Sequence, residues 1–224
     1  TIVNTLHQYF STVGAALDQN IPRVDVQPQR FLQGNYSNSI FLRPVDTTEI
    51  LGVLRNLKDS SAGHDGFKPK MIKLVSAFIA APLTHLVNLS FETGVIPKEL
   101  KQANITPIFK NGDSCLPQNY RPISVLPVFS KVFERLLHNR LFEFFNSNNI
   151  ISQYQYGFRK KFSTEMALIH TTETITRELD KGNKVIGLFL DLKKAFDTVN
   201  LDILLIKLQH YGIRGIALKL IENY

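Results

Sequence analysis

The 224-residue chain predicts an α+β fold with long helices and few strands. Three observations carry that expectation. Apolar residues recur at helical spacing in several separate stretches, as in Ile50, Val53, Leu54 and Leu57. Short extended runs, at 103–110, 120–126 and 185–191, are bounded by turn-forming residues. No internal repeat or low-complexity segment interrupts the mixture.

The elements follow in chain order. A short helix is expected over 3–17, with Ile2, Leu6, Tyr9, Phe10 and Val13 on one face. From Gln19 the chain carries Pro22, Pro28 and Gly34 among many Asn, Gln and Ser, so residues 1–43 read as an N-terminal extension and linker. Asp46-Thr47-Thr48-Glu49 has the form of a capping box, with Asp46 as cap and Glu49 reaching back. Ser60-Ser61-Ala62-Gly63-His64-Asp65-Gly66 ends that helix in a loop whose glycines permit positive φ. A helical pair follows at 70–80 and 82–91. Pro82 suits the first residue of the second helix, and Gly94 and Pro97 close it.

A strand over 103–110, a turn at Asn111-Gly112-Asp113 and a second extended run over 120–126 predict a hairpin. Val132, Phe133, Leu136, Leu137 and Leu141 mark an amphipathic helix that 146–149 break. The next helix, 164–179, ends in Asp180-Lys181-Gly182-Asn183. Residues 185–191 are apolar on both faces and predict a buried strand with Asp191 at its tip. Leu201, Leu204, Leu205, Leu208 and Tyr211 line the last helix before Gly212.

Composition narrows the function classes. No run reaches the ~18 apolar residues of a membrane span, and no membrane partner is expected. Cys115 is alone, which excludes a disulfide framework and a thiolate zinc cluster and fits a reducing, intracellular compartment. The six histidines are far apart and offer no i, i+4 metal pair. Net charge is +7, and it concentrates mid-chain. Lys98, Lys101, Lys110, Arg121, Lys131, Arg135 and Arg140 face only Glu99, Asp113 and Glu134, and Arg159-Lys160-Lys161 follow. Such a balance suits nucleic acid, and equally a soluble surface. The chain starts at Thr1 and stops at Tyr224 soon after an amphipathic helix, so it is expected to be a piece of a longer polypeptide.

Four constellations could carry chemistry. In VIGLFLDLKKAFDTVN a carboxylate ends the apolar run and Phe196 follows just inside the next helix. A buried carboxylate needs a hydrogen-bonded partner or a cation. Asp191 therefore reads as a metal ligand, or as a helix cap or ion pair with Lys193 or Lys194, and Phe196 as ligand-facing or as core. Asp197 reads as orienting the loop or capping the helix at its positive end, rather than binding metal. In ITPIFKNGDSCLPQNYRPISVLPVFS, Lys110 and Arg121 stand on neighbouring strands, as a triphosphate clamp or a plain basic hairpin. In QYQYGFRKKFST, aromatics and cations interleave around Gly157, offering stacking faces and phosphate contacts. The fourth is the loop SAGHDG at 61–66.

FLDLKKAFDTVN resembles the first catalytic-aspartate motif of reverse transcriptases, nearest the non-LTR, LINE-like (jockey-type) branch. NYRPIS resembles that branch's fingers motif, and the other two constellations match its remaining motifs in the same order, so the likeness covers 44–224. The resemblance implies the fingers and first palm segment of a right-hand polymerase, truncated, with fingers over 44–180 and the first palm segment over 181–224. It implies an RNA-directed DNA polymerase that extends a DNA primer on an RNA template from dNTP, with two Mg2+ ions. Asp191 would be catalytic and metal-binding, with the Leu192 backbone carbonyl as a further ligand. Lys110 and Arg121 would contact dNTP phosphates, and Phe196 would be the sugar gate. Gln155, Gly157, Phe158, Arg159, Ser163 and Thr164 would meet template–primer, while Gly63, Asp65, Gly66 and Asp197 would be structural.

The family's aromatic-x-Asp-Asp hairpin does not occur, for the sequence holds no Asp-Asp dipeptide. These residues alone are therefore expected to be inactive. A non-catalytic RNA-binding remnant is the rival reading; a group II intron maturase or a nucleotide cyclase fits the motif wording less well. An active parent element would act inside the cell, and in the nucleus at integration.

Overall fold

A computed structural model describes residues 2–19, 21, 26–192 and 194–224. Pro22 and Lys193, read above as a linker proline and an ion-pair partner, lie outside the described residues. The chain divides into two compact units, Thr1–Phe144 with Phe196–Tyr224, and Phe145–Ala195. No helix among the described residues is long and apolar enough to cross a membrane.

The first unit opens with α1 (Ile2–Gln19), followed by an irregular segment that reaches α2 (Thr47–Arg55). Asp46 caps α2, its Oδ1 accepting the Glu49 N–H at 2.8 Å. Glu49, however, does not close the capping box. Its carboxylate meets the Arg140 guanidinium at 2.7 and 2.8 Å. Arg140 is 4 % exposed and also donates to the carbonyls of Arg43 and Pro44. It belongs to the interior and not to the basic surface counted from sequence. From the other side Asn88 holds both backbone groups of Val45, at 2.8 and 3.0 Å.

The predicted helical pair has a different break. α3 (Pro69–Leu74) ends at Val75, and α4 (Ser76–Thr93) runs through Pro82. A proline inside a helix gives up one i→i−4 hydrogen bond. Here that loss is outweighed by the face α4 buries, Ala80, Leu83, Val87 and Phe91. Gly94 closes α4 in the left-handed region, at φ +69°. The core lies where α4 meets α2, α5 (Val128–Ser147) and α8 (Ile216–Asn223), with Ile50, Leu54, Phe91, Phe133, Leu136 and Leu220 inside it. The helices expected from sequence stop at Gly212 and leave out α8, although Ile213, Ala217, Leu220 and Ile221 recur at helical spacing. Asn223 secures it by accepting from the Ile96 N–H at 2.8 Å and Lys101 at 2.9 Å, and Tyr224 donates to Glu134. Burial and that carboxylate push the Tyr224 hydroxyl above its ordinary pKa.

β1 (Asn104–Phe109) and β2 (Tyr120–Val125) form an antiparallel ribbon with Pro107 opposite Pro122. The Lys110 N–H donates to the Asn119 carbonyl at 2.9 Å. Pairs alternate along such a ladder, so this bond puts both prolines at a non-hydrogen-bonded pair, where the missing N–H would have pointed outward. Neither rim therefore offers a complete template for a third strand.

The second unit carries α6 (Thr164–Asp180), capped by Ser163 and closed by Gly182 at φ +78°. The expected buried strand over 185–191 does not form. Residues 183–192 take no regular structure, and Ile186, Leu188, Phe189 and Leu190 are over four-fifths exposed. A strand exists only through a paired ladder, and among the described residues β1 and β2 pair only with each other. The last helix before Gly212 is α7 (Leu201–His210).

Breaking one side of the Arg140–Glu49 pair leaves a buried cation. Glu49→Ala is expected to cost about 3 kcal/mol in urea unfolding, while Glu49→Leu with Arg140→Met should recover most of it. A single substitution costing under ~1 kcal/mol would mean that water solvates Arg140 and that the pair is a surface one.

Candidate functional site

The hairpin is the exposed, charged feature of the first unit. Ile108 faces Arg121 across it, and Lys110 faces Asn119 two pairs further on. Opposed residues share a face, and faces alternate along each strand. Lys110 and Arg121 therefore leave the same face as diagonal neighbours, roughly 7–8 Å apart at Cα. Both are exposed, and among the described residues neither joins an ion pair. The loop between the strands folds back on itself. Tyr120 donates to the Ser114 carbonyl at 2.9 Å, and Asn119 Nδ2 to the Asp113 carbonyl at 2.8 Å.

The loop at 60–66 packs on the root of that hairpin. A Cβ on Gly63 would lie 2.6 Å from Pro127 N, so only glycine permits this backbone approach. Gly66 sits at φ +75°, the Asp65 carboxylate accepts the Phe67 N–H at 3.2 Å, and Lys131 reaches Ser60 at 2.8 Å. Gly63, Asp65 and Gly66 are thus a structural buttress between α2 and the start of α5, in the first unit with Lys110 and Arg121.

In the second unit the segment at 152–163 is a set of turns held from within. Arg159 donates to the carbonyls of Ser152 and Gln155 at 3.1 and 3.3 Å and lies over the Phe162 ring at 4.1 Å. Gln155 Nε2 donates to the Gly157 carbonyl at 3.0 Å, and Tyr156 bonds His170 at 2.7 Å. Arg159 thus spends one nitrogen, Nη1, on the loop, while its buried Nε has no hydrogen-bond partner among the described residues. Phe158 is the residue presented outward, 89 % exposed at φ +62°, with Lys160 and Lys161 beside it. Ser163 caps α6 by accepting the Met166 N–H at 3.3 Å, and Thr164 opens the helix. The Ser163 hydroxyl also holds Glu165 below the usual carboxylate range.

Asp191 and Leu192 are exposed on the irregular run of the second unit. Phe196 lies in a turn over 194–198 ahead of α7, 79 % exposed, and so belongs neither to a helix nor to the core. Asn200 caps α7 by accepting the Ile203 N–H at 3.0 Å, a role the sequence reading gave among others to Asp197. Among the described residues no three His, Cys, Asp or Glu side chains group to hold a metal ion. Octahedral Mg2+ takes six oxygen ligands, so Asp191 by itself could provide part of such a site but not the site.

The first unit thus presents an exposed cationic ribbon, and the second an outward aromatic loop and an exposed carboxylate. The family model for reverse transcriptase (RNA-dependent DNA polymerase) matches residues 108–224, and the chain belongs to that family. Relatives place it with the LINE-like, non-LTR retrotransposon members. The RNA-directed DNA polymerase from mobile element jockey of Drosophila melanogaster is 28 % identical over 198 residues, covering 88 % of this chain and 21 % of that protein. The probable polymerase from transposon X-element of the same organism is 31 % identical over 195 residues, covering 87 % and 21 %. That from transposon BS is 30 % identical over 183 residues, covering 78 % and 20 %. The chain spans about a fifth of the length of these curated relatives. Members of the family generally use a divalent metal.

The two buttress glycines separate steric from conformational cost. Gly63→Ala should destabilise by about 1–3 kcal/mol, because backbone must move. Gly66→Ala, with open space around its Cβ, should cost only the left-handed backbone, about 1 kcal/mol. Thermal unfolding of both variants checks this, and a Gly63→Ala chain as stable as Gly66→Ala would refute the close approach.

Proposed function

We propose that this chain is the fingers (44–180) and first palm segment (181–224) of a reverse transcriptase whose parent polypeptide copies RNA into DNA. Its substrates are dNTPs, an RNA template and a DNA primer 3′-hydroxyl, and its work is intracellular, nuclear at integration. The observation that carries this reading is the placement of Lys110 and Arg121 on one exposed face of a ribbon whose sequence follows the family's fingers motif. Arginine offers a planar fork and lysine a point charge, a pair suited to adjoining phosphates of one triphosphate. Phe158, projecting from the loop that Arg159 organises, is a stacking face for template or primer bases, with Gln155 and Gly157 shaping the loop and Ser163 and Thr164 starting the helix behind it. Phe196 is the aromatic against which a 2′-hydroxyl would clash. Asp191, with the Leu192 carbonyl, gives one side of a two-Mg2+ site whose other carboxylates these residues do not include. The metal pair, when complete, neutralises the triphosphate and activates the primer hydroxyl.

In the parent polypeptide, Arg121→Ala should raise the dNTP KM by roughly 10- to 100-fold, the worth of a charged hydrogen bond, with RNA–DNA duplex affinity nearly unchanged. Equal losses in both would make the hairpin a general nucleic-acid contact and favour an RNA-binding role. The 224-residue chain itself should incorporate no labelled dNTP. Incorporation abolished by Asp191→Ala would overturn the claim that the metal site lies partly outside it. Phe196→Val in the parent should admit ribonucleotides, and unchanged discrimination would remove its gating role.

A further inference from the structure

From sequence, residues 1–43 read as an N-terminal extension and linker, yet α1 and residues 33–40 within them meet the two ends of the stretch from Phe196 to Gly212. We infer that α1 and residues 33–40 brace this segment, and that Arg214 is the positioning residue at the hub of the brace. The functional part of the inference rests on the reading of Phe196 given above; the mechanical part does not.

No residue of α7 is fully buried and only Leu205, Ile206, Leu208 and His210 are half-buried, so the contacts at its ends weigh heavily in its position. At the C-terminal end, Arg214 donates to the Gln209 carbonyl at 3.1 Å, which the Gly212 N–H also reaches, and to the His210 carbonyl at 3.4 Å, one of the acceptors that a helix end leaves without an intrahelical partner. The same guanidinium gathers the N-terminal segment, donating to the Tyr36 carbonyl at 2.7 Å, the Ser37 carbonyl at 3.3 Å and the Ser39 hydroxyl at 3.0 Å. One planar group thus joins the end of α7 to a segment about 175 residues away in sequence. A lysine, with a single charged nitrogen, could not span both sets.

Three further contacts reinforce the joint. The Tyr36 ring stands edge-on to His210 and Tyr211, with centroids 5.6 and 5.2 Å away. The Ile40 N–H donates to the Gly212 carbonyl at 2.9 Å. Gly212 itself lies at φ +97°, and a Cβ there would come within 2.3 Å of the Asn38 carbonyl oxygen. At the other end, α1 meets the turn that holds Phe196: a Cβ on Gly14 would be 3.1 Å from the Asp197 carbonyl oxygen. α1 and residues 33–40 therefore hold both ends of the stretch from Phe196 to Gly212.

The test uses the 224-residue chain with 4-fluorophenylalanine placed at position 196, or at position 133 as a core control. In Arg214→Ala the position-196 fluorine resonance should move or broaden, and amides of 201–212 should exchange about ten-fold faster. The position-133 resonance should stay fixed, and Arg214→Lys should restore little. Faster exchange confined to 33–40, with the position-196 resonance unmoved, overturns the brace. If Arg214→Ala also disturbs position 133, Gly212→Ala is the deciding variant. It should move position 196 while sparing position 133, and an unmoved position 196 overturns the brace. None of these readouts needs nucleotide, so they stand apart from failure of the polymerase reading. In the parent polypeptide, Arg214→Ala should weaken discrimination against ribonucleotides; unchanged discrimination beside a moved resonance overturns the positioning role.

Discussion

A guanidinium cannot be taken out of water without several kcal/mol of desolvation, and Arg140 is taken out almost completely. What offsets that cost also dictates how the first unit is assembled. The two Glu49 oxygens lie in the first turn of α2, and the Arg43 and Pro44 carbonyls come just before its cap. Satisfying one cation on α5 thereby fixes the start of α2. Asn88 fixes the same stretch from α4 through both backbone groups of Val45. Three helices are registered on one short irregular segment, and the apolar core fills the space between them. Because α5 begins at Val128, directly after the ribbon ends at Val125, that arrangement also sets where Lys110 and Arg121 stand. The exposed Arg43–Glu143 pair, more than half open on both sides, contributes little by comparison.

Much of this fold is legible in the sequence wherever local chemistry decides. Asp46 as a cap, Gly94 and Gly182 as terminators, the hairpin and the long stripe of α5 follow from side-chain preferences within a turn or two. The misreadings share a cause, which is that distant partners overrule local signals. Pro82 looks like a helix start, but the burial of Leu83 and Val87 carries α4 through it. The apolar run ending at Asp191 has every local mark of a strand, and pairing, which no single segment contains, is what it lacks. Glu49 looks available to close the capping box, and it is taken instead by Arg140, a partner that periodicity does not reveal. Arg140 could have been suspected: it follows Phe133, Leu136 and Leu137 at helical spacing, which turns it inward.

The site residues divide in the same way. The buttress glycines have positions that backbone geometry demands, and the sequence marks them because no other residue fits. The roles proposed for Lys110 and Arg121 rest instead on exposure and on the face that the ribbon register gives them, and that proposed for Phe158 on its exposure in the loop. Arg214 went unremarked because nothing near Gly212 in sequence hints at a partner in the first forty residues.

The opposed prolines of the ribbon bear on how the chain survives its own synthesis. Ile105, Phe109 and Ile123 are about half exposed even in the finished structure. On the ribosome they emerge before the helix that roots them, when bare extended segments meet one another most readily. Pro107 and Pro122 each interrupt one outer rim, so a nascent ribbon can touch a neighbour but cannot stitch a continuous ladder to it. The stretch over 185–192 has no such proline, and the newborn polypeptide is most prone to adhere there.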